Sequence, residues 1–241
     1  EEKISMKDQP FLSIVIPARN EQELIASTIE NILPYTGINL VEIIVVDDHS
    51  SDNSLEAITQ FKNKHPHTEI NIVQQQVNMG KGYAVRMGIN VSTGDYIIIQ
   101  DADLELNPED FNLLLKTSIE RNVQVVYGSR FLRKQKFKVP FMTLMANRIL
   151  SLVTSLLSGK KITDMETCYK LIERSLLHNI QLKENRFGFE PEITIKLLKN
   201  KRVRFAEVPI SYQPRTKKMG KKIGVKDGIR ALYCLFRYRI L

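Results

Sequence analysis

Through the first half of the chain, short β-branched and aliphatic runs alternate with longer stretches of helical period. This is the pattern of an α/β fold whose mostly parallel sheet carries helices on both faces. The spacing predicts strands at Leu12 to Ile16, Glu42 to Val46, Ile70 to Gln74, Tyr96 to Ile99 and Val123 to Val126. Helices are expected between them, at about Glu21 to Leu33, Ser54 to Asn63, Lys81 to Val91 and Glu109 to Glu120. Asn107-Pro108-Glu109 reads as a helix start, because proline fits the first helical position and acids suit the first turn.

Beyond Tyr127 the pattern changes. A basic loop from Arg130 to Lys138 leads into an apolar helix from Phe141 to about Leu157, closed by Ser158-Gly159. A strand-like segment from Thr167 to Ile172, a helix beginning near Glu190, two strands around Val203 to Phe205 and Val208 to Tyr212, and a last helix from Val225 follow. No repeat, low-complexity run or linker divides the chain. One domain is therefore expected, with residues 10–127 and 128–241 as its two halves.

Size and charge refine this picture. With 241 residues, 43% of them hydrophobic, the chain can bury a sizeable core, which excludes disorder as its main state. The net charge is +8, but from Lys201 onward twelve basic residues face two acidic ones, so the cationic character belongs to the tail. Cys168 and Cys234 alone exclude a disulfide scaffold and suit a reducing compartment. Glu1-Glu2-Lys3 is not followed by the apolar core of a signal peptide. The longest apolar run, Phe141 to Leu157, is broken by Asn147 and Arg148, so no membrane span is expected.

The strongest chemical signal is Asp101-Ala102-Asp103, directly after the apolar strand Tyr96 to Ile99. Carboxylates at the C-terminal end of a parallel strand sit where open α/β sheets bind ligands, and an acid pair of this spacing holds a hard divalent cation that also takes phosphate oxygens. The alternative is a turn stabilised by aspartate side chains. An EF-hand is excluded because Leu106 stands where that loop needs glycine. Gly80-Lys81-Gly82 is no dinucleotide fingerprint, since Val85 replaces the third glycine, and no P-loop motif occurs. A second acid pair, Asp47-Asp48, ends the second strand, and Pro17 to Glu21 follows the first. Parallel strands align their C-terminal ends, so three clusters share one rim.

Ser13-Ile14-Val15-Ile16-Pro17-Ala18-Arg19-Asn20-Glu21, Val45-Val46-Asp47-Asp48-His49-Ser50, Asn78-Met79-Gly80-Lys81-Gly82 and Gln100-Asp101-Ala102-Asp103 resemble the inverting family-two glycosyltransferases of GT-A fold. Tyr127-Gly128-Ser129-Arg130, Thr163-Asp164-Met165-Glu166-Thr167-Cys168-Tyr169-Lys170, Phe187-Gly188-Phe189-Glu190 and Glu207-Val208-Pro209-Ile210-Ser211-Tyr212 narrow the resemblance to the dolichyl-phosphate mannose synthase-like branch, which makes polyprenyl-phosphate sugars. The resemblance runs from about Phe11 to the end of the chain.

The resemblance implies that Pro17, Arg19, Glu21, Val46 and Asp48 line a nucleoside pocket, with Lys81 also on the donor. Asp101, Ala102 and Asp103 would meet the sugar diphosphate and a divalent metal, Mg²⁺ or Mn²⁺, with Asp103 the firmest ligand and Glu105 in the metal shell. Arg130 would face the acceptor phosphate, and Arg215 with Lys222 would clamp the donor phosphates from a mobile loop. On this resemblance Asp101, Asp103 and Arg130 would carry the catalysis. Arg19 stands where many relatives have an aromatic residue, and Glu105 where glutamine is common. Glu166 either approaches the sugar hydroxyls or orders a loop, while Glu190 and Glu192 are expected to cap their helix and offset its dipole.

The implied reaction moves a hexose from a nucleotide sugar, GDP-mannose ahead of UDP-glucose, to a polyprenyl or dolichyl phosphate with inversion. The rival enzyme class uses a polysaccharide or soluble acceptor. A basic nucleic-acid-binding module, suggested by the cationic tail, lacks any recognised motif, and no nucleic-acid partner is expected. The polyprenyl acceptor implies a peripheral enzyme on the cytoplasmic face of a membrane. Phe141, Leu144, Met145, Ile149, Leu152, Val153, Leu156 and Leu157 form a stripe at helical spacing, flanked by Lys134, Lys136, Lys138, Lys160 and Lys161. The last helix adds Ile229, Leu232, Tyr233 and Phe236.

Overall fold

The computed structural model describes residues 11–36, 41–133, 140–214 and 225–240. Its elements in chain order are β1 (Leu12–Ala18), α1 (Ile25–Thr36), β2 (Val41–Asp47), α2 (Ser54–Lys64), β3 (Ile70–Gln74), α3 (Lys81–Val91), β4 (Tyr96–Ile99), α4 (Asp110–Glu120), β5 (Val125–Ser129), α5 (Phe141–Ser158), β6 (Lys170–Glu173), α6 (Arg174–His178), α7 (Phe189–Leu198), β7 (Phe205–Pro209) and α8 (Val225–Ile240). The strands form one seven-stranded sheet of order β3-β2-β1-β4-β6-β5-β7. Every pairing is parallel except those of β6, which runs antiparallel to both β4 and β5.

Successive strand residues point to opposite faces. In β5 every residue is buried, and in β1 all but one, so the central sheet is covered on both sides. That is why these strands read as unbroken apolar runs rather than as alternating ones. The chain order reverses at β1, which pairs with β2 on one side and β4 on the other. Ligands of open α/β sheets bind at such a switch point, outside the C-terminal strand ends.

The antiparallel direction of β6 decides the site. Because Ile98 faces Leu171 and Tyr127 faces Lys170, the residues that lead into β6 lie at the C-terminal ends of β4 and β5. The motif around 164–170 therefore arrives on the rim from the opposite direction to every other strand.

Several elements differ from the sequence reading. The two strands expected around 203–205 and 208–212 are one strand, β7, and Tyr212 makes only an isolated bridge to Leu106. The segment expected as a strand from Thr167 is loop until Lys170, and α6 was not foreseen. Helix α1 starts at Ile25 rather than Glu21, after a turn in which the Glu21 carbonyl accepts from the Leu24 and Ile25 amides. The fifth strand is shifted toward Ser129.

Helix α5 has the length and composition to cross a membrane, contrary to the reading that no such stretch exists. Asn147 and Arg148 interrupt the run, but the other positions keep the window apolar. Its orientation is more informative than its composition. The small polar residues Ser151, Thr154 and Ser158 face the protein, and Thr154 Oγ1 donates back to the Leu150 carbonyl at 2.7 Å. Phe141, Met142, Met145, Ile149, Leu152 and Leu156 face outward, with Leu152 60% and Leu156 75% exposed. Helix α8 packs beside α5 and exposes Ile229, Tyr233, Phe236 and Ile240.

Candidate active site

The first three rim clusters are tied together by hydrogen bonds beyond the strand ends. The Asp48 amide donates to the Ala18 carbonyl at 2.9 Å, and the Gln100 amide to that of Val15 at 3.0 Å. Asn20, at φ 53°, accepts through Oδ1 from the Ser51 amide at 2.8 Å, and the Glu21 amide donates to Ser54 Oγ at 2.8 Å. Pro17 pairs in register with Val46. Arg19 is exposed on this rim and Glu21 half-buried.

Two of the residues expected in the nucleoside pocket also have structural partners. Val46 is fully buried in the sheet, so its side chain belongs to the core. Asp48 is buried and spends its carboxylate on the next loop: it accepts from the Met79 amide at 2.8 Å, the Gly80 amide at 2.9 Å and Asn78 Nδ2 at 2.5 Å. Asp48 thus fixes the turn that starts α3. Gly80 holds φ 96°, and a Cβ there would lie 2.6 Å from the Asn185 carbonyl, so only glycine suits the position.

That turn delivers Lys81 to the acid pair. Its Nζ lies 2.9 Å from Asp101 Oδ1 and 3.2 Å from Glu190 Oε1. Burial disfavours the charge on Lys81, but Asp101 and then Cys168 and Glu190 outweigh it and raise its pKa well above the ordinary lysine value. Burial likewise works against ionised Asp101, yet Lys81 holds its carboxyl below the usual range. Gln100 braces the same turn, donating through Nε2 to the Asp101 carbonyl at 2.7 Å and accepting from Tyr169 Oη at 2.6 Å. Ala102 is buried, and Asp103 Oδ1 accepts from the Glu105 amide at 3.2 Å, with Leu104 at φ 56°. Glu105 in turn accepts at its carbonyl from the Gln213 amide at 2.8 Å, which joins this loop to residues 212–213.

The donor set of Asp101, Asp103 and Glu105 is hard oxygen, the chemistry of Mg²⁺ or Mn²⁺. No ready-made group of three or more metal-binding side chains occurs among the described residues. A carboxylate pair completed by phosphate oxygens fits such an ion, since Mg²⁺ sites use one or two carboxylates plus substrate phosphates.

Arg130 follows β5 on the same rim. Its Nε and Nη2 donate to the two oxygens of Asp164, each at 2.7 Å, and its amide to Oδ2 at 3.0 Å. Burial opposes its charge and Asp164 restores it, so the guanidinium stays protonated. Its plane also lies over Tyr212, 5.1 Å from the ring centroid. Glu207 on β7 holds the loop beneath, accepting from the Thr163 amide at 2.9 Å and the Asp164 amide at 3.1 Å.

Sequence reasoning missed the buried charges that join these parts. Lys170 is fully buried and donates to Glu190 Oε2 and to the Thr167 carbonyl. Glu190 and Glu192 lie in the first turn of α7, as expected, but neither caps it. Glu190 pairs with Lys170 and Lys81, and Glu192 accepts from the Lys183 amide at 2.8 Å and the Glu184 amide at 2.7 Å. Glu166 Oε1 is buried with no hydrogen-bond partner among the described residues. Burial and Glu190 push its carboxyl up to about 7. Arg215 and Lys222, like Lys134, Lys136 and Lys138, lie outside the described residues.

The model for glycosyl transferase family 2 matches residues 13–181. A dolichyl-phosphate beta-glucosyltransferase from Dictyostelium discoideum is 29% identical over 85% of this chain and 67% of its own. A dolichol-phosphate mannosyltransferase from Pyrococcus furiosus is 27% identical over 94% of this chain and 64% of its own. A UDP-N-acetylglucosamine–dolichyl-phosphate N-acetylglucosaminyltransferase from Methanococcus voltae is 26% identical over 95% and 96%. The chain spans about two thirds of the length of the first two. Among solved structures, glucosyl-3-phosphoglycerate synthase from Mycobacterium tuberculosis, crystallised with Mn²⁺, UDP and phosphoglyceric acid, superposes with a TM-score of 0.72 at 19% identity, covering 97% of this chain and 80% of its own. That likeness shows the GT-A fold.

Proposed function

The chain belongs to glycosyl transferase family 2, and from that premise we propose that it transfers a hexose from a nucleotide sugar to a polyprenyl phosphate at a membrane surface, with inversion at the anomeric carbon. The observation that carries this reading is one rim bearing two charged pairs: Lys81 pins the carboxylate of Asp101, and Asp164 holds Arg130 charged, and we assign the first to the donor end and the second to the acceptor end.

The donor end suits a sugar diphosphate. Pro17, Arg19 and Glu21 stand on the rim beside the turn held by Asp48 and form the nucleoside side of the site. Asp103 and Asp101, with Glu105 nearby, would hold a divalent metal, which when bound neutralises charge developing on a diphosphate leaving group. Lys81 keeps Asp101 ionised for that task. Arg215 and Lys222 remain proposed contacts of the donor phosphates.

The acceptor end suits a phosphate monoester. Arg130 presents a cation whose orientation is fixed by two hydrogen bonds to Asp164, so little order is lost when an anion binds. A phosphate monoester has its second pKa near 6 and is largely ionised at neutral pH. Its oxygen attacks the anomeric carbon as the bond to the nucleoside diphosphate breaks, and a strong general base is unnecessary.

The outward faces of α5 and α8 support a lipid-borne acceptor. A helix that turns serine and threonine inward and leucine outward pays an unusual hydration cost in water and none against acyl chains. Arg237 and Arg239 near the end of α8, and Lys160 and Lys161 after α5, supply cations for anionic headgroups.

The relatives carry glucosyl, mannosyl and N-acetylglucosaminyl names, so the donor is best found by a thermal-shift panel. GDP-mannose, UDP-glucose and UDP-N-acetylglucosamine are tested with Mg²⁺, Mn²⁺ and chelator, since a ligand at 100 times its dissociation constant stabilises by about 2.7 kcal/mol. The stabilising donor is then offered with a short-chain polyprenyl phosphate. Product with inverted anomeric configuration supports the proposal; transfer to a soluble phosphate and none to the polyprenyl phosphate overturns it.

A further inference from the structure

Close to Arg130 and Lys170 the protein leaves buried oxygens of Glu166 and Glu190 unsatisfied. Glu166 Oε1, Thr167 Oγ1 and Glu190 Oε1 are each buried without a hydrogen-bond partner among the described residues, although Glu190 Oε1 keeps its ion pair with Lys81. Buried polar atoms are ordinarily paired, so a cluster of unpaired ones calls for a ligand that supplies what is missing. Carboxylate oxygens want donors. Phosphates have none to give, whereas a hexose carries several hydroxyls.

The position of the patch says which part of the substrates it meets. The charged groups that face Glu166 are Glu190 from α7, Lys170 from β6, Arg130 from the end of β5 and Asp164 from the loop before β6. Through Glu190, the patch connects to Lys81 and Asp101 at the diphosphate end. Through Arg130, it connects to the acceptor end. The group that moves between a donor diphosphate and an acceptor phosphate is the sugar, and its hydroxyls must lie between the two.

We propose that Glu166 accepts a hydrogen bond from a hydroxyl of the transferred hexose and so helps determine which sugar the site takes. The proposal rests on the hexosyltransferase reading for the identity of the two phosphate ends. Burial and Glu190 push this carboxyl up to about 7 while Lys170 and Arg130 work the other way, and a sugar hydroxyl adds a donor where Oε1 has none, which favours the accepting, ionised form once the sugar is bound.

The test separates the sugar from the nucleotide. Affinities of UDP-glucose and UDP, and of GDP-mannose and GDP, are measured by calorimetry with Mn²⁺ for the wild type, Glu166→Ala and Glu166→Gln, after melting curves show which variants fold. For the pair the enzyme uses, Glu166→Ala should leave the bare diphosphate within about twofold and weaken the nucleotide sugar at least about tenfold, the scale of one lost hydrogen bond to a charged group. Glu166→Gln, which keeps the shape, carries the same test if the alanine variant does not fold. Monodeoxy analogues of the donor locate the hydroxyl: at one position the wild type should lose about tenfold and Glu166→Ala less than twofold. An unchanged ratio of sugar to diphosphate affinity, or an equal loss for both, overturns the proposal. Failure of the wild type to glycosylate a polyprenyl phosphate, with the ratio moving as expected, would remove the acceptor reading and leave the sugar contact supported.

Discussion

Lys81 Nζ lies 2.9 Å from Asp101 Oδ1 while also reaching Glu190, so one lysine at the first residue of α3 neutralises acids from the β4 turn and from α7. The ion pair joins the first half of the chain to the second. Substituting Lys81 by Met would leave Asp101 unpaired and Glu190 with Lys170 alone. The pair is only partly buried, with the Asp101 side chain 29% exposed, so its loss should cost about 1–3 kcal/mol, less than for a fully buried pair. The Lys81→Met protein should unfold at lower urea concentration by that order and lose transfer activity. Unchanged stability in urea titration would mean that water, not Lys81, solvates Asp101.

Asp103 is the other half of the acid pair. Asp103→Asn should abolish most turnover while leaving the melting temperature within a few degrees, because Asn retains the acceptor used by the Glu105 amide. Chelator should have the same effect on the wild type. Full activity in excess chelator would refute the metal.

Arg130 and Asp164 act as a unit, but their loss should read differently. Arg130→Ala should raise the acceptor KM or lower kcat at least about tenfold and leave nucleotide affinity nearly unchanged, since the two phosphates occupy different ends of the rim. Both variants should also lose stability, by about 3–5 kcal/mol, because Asp164→Ala strands the guanidinium and Arg130→Ala strands the fully buried carboxylate. Asp164→Ala should in addition disorder the retained Arg130, so the kinetics are compared at a temperature where both are folded. A collapse of donor affinity in Arg130→Ala, with acceptor kinetics intact, would reverse the assignment of the two ends.

The raised carboxyl of Glu166 makes stability fall with pH. The group ionises near 4.5 when unfolded and about 7 when folded, so its contribution is fully present below about 4.5 and is lost as pH rises through 7. In Glu166→Gln that segment of the stability profile should flatten. A wild-type profile that rises between pH 5 and 7 and is unaltered in Glu166→Gln would contradict the assignment.

Leu152 stands at the middle of the outward face of α5. Cosedimentation with anionic liposomes should be strong at low salt, weaken as salt rises, and drop on Leu152→Glu with the melting temperature little changed. Absence of liposome binding by the folded protein at low salt would argue against a membrane surface.

The sequence alone determined the parallel half of the sheet and the place of three rim clusters. Runs such as Tyr96 to Ile99, being buried on both faces, are apolar throughout, and parallel strands bring the residues after them to a common edge. That is why Asp101, Asp48 and Pro17 were legible as neighbours although dozens of residues separate them. Helix α5 was legible as an apolar stripe as well, since period alone reveals it.

Only the tertiary structure decided the rest, for three physical reasons. Strand direction is not encoded in a short apolar run, so the antiparallel insertion of β6, which swings Asp164, Glu166 and Lys170 onto the rim, could not be read from Lys170 to Glu173. Burial of a charge depends on its partner: Arg130 meets Asp164 across 34 residues and Lys81 meets Asp101 across 20, so the motifs marked Lys81, Asp101 and Arg130 but not the pairs they form. A helix's period also does not say which stripe faces the protein. Helix α5 packs with Leu150, Ser151 and Thr154 inward and leaves Leu152 and Leu156 outside, and the inward hydroxyls bond within the helix or to the adjoining loop.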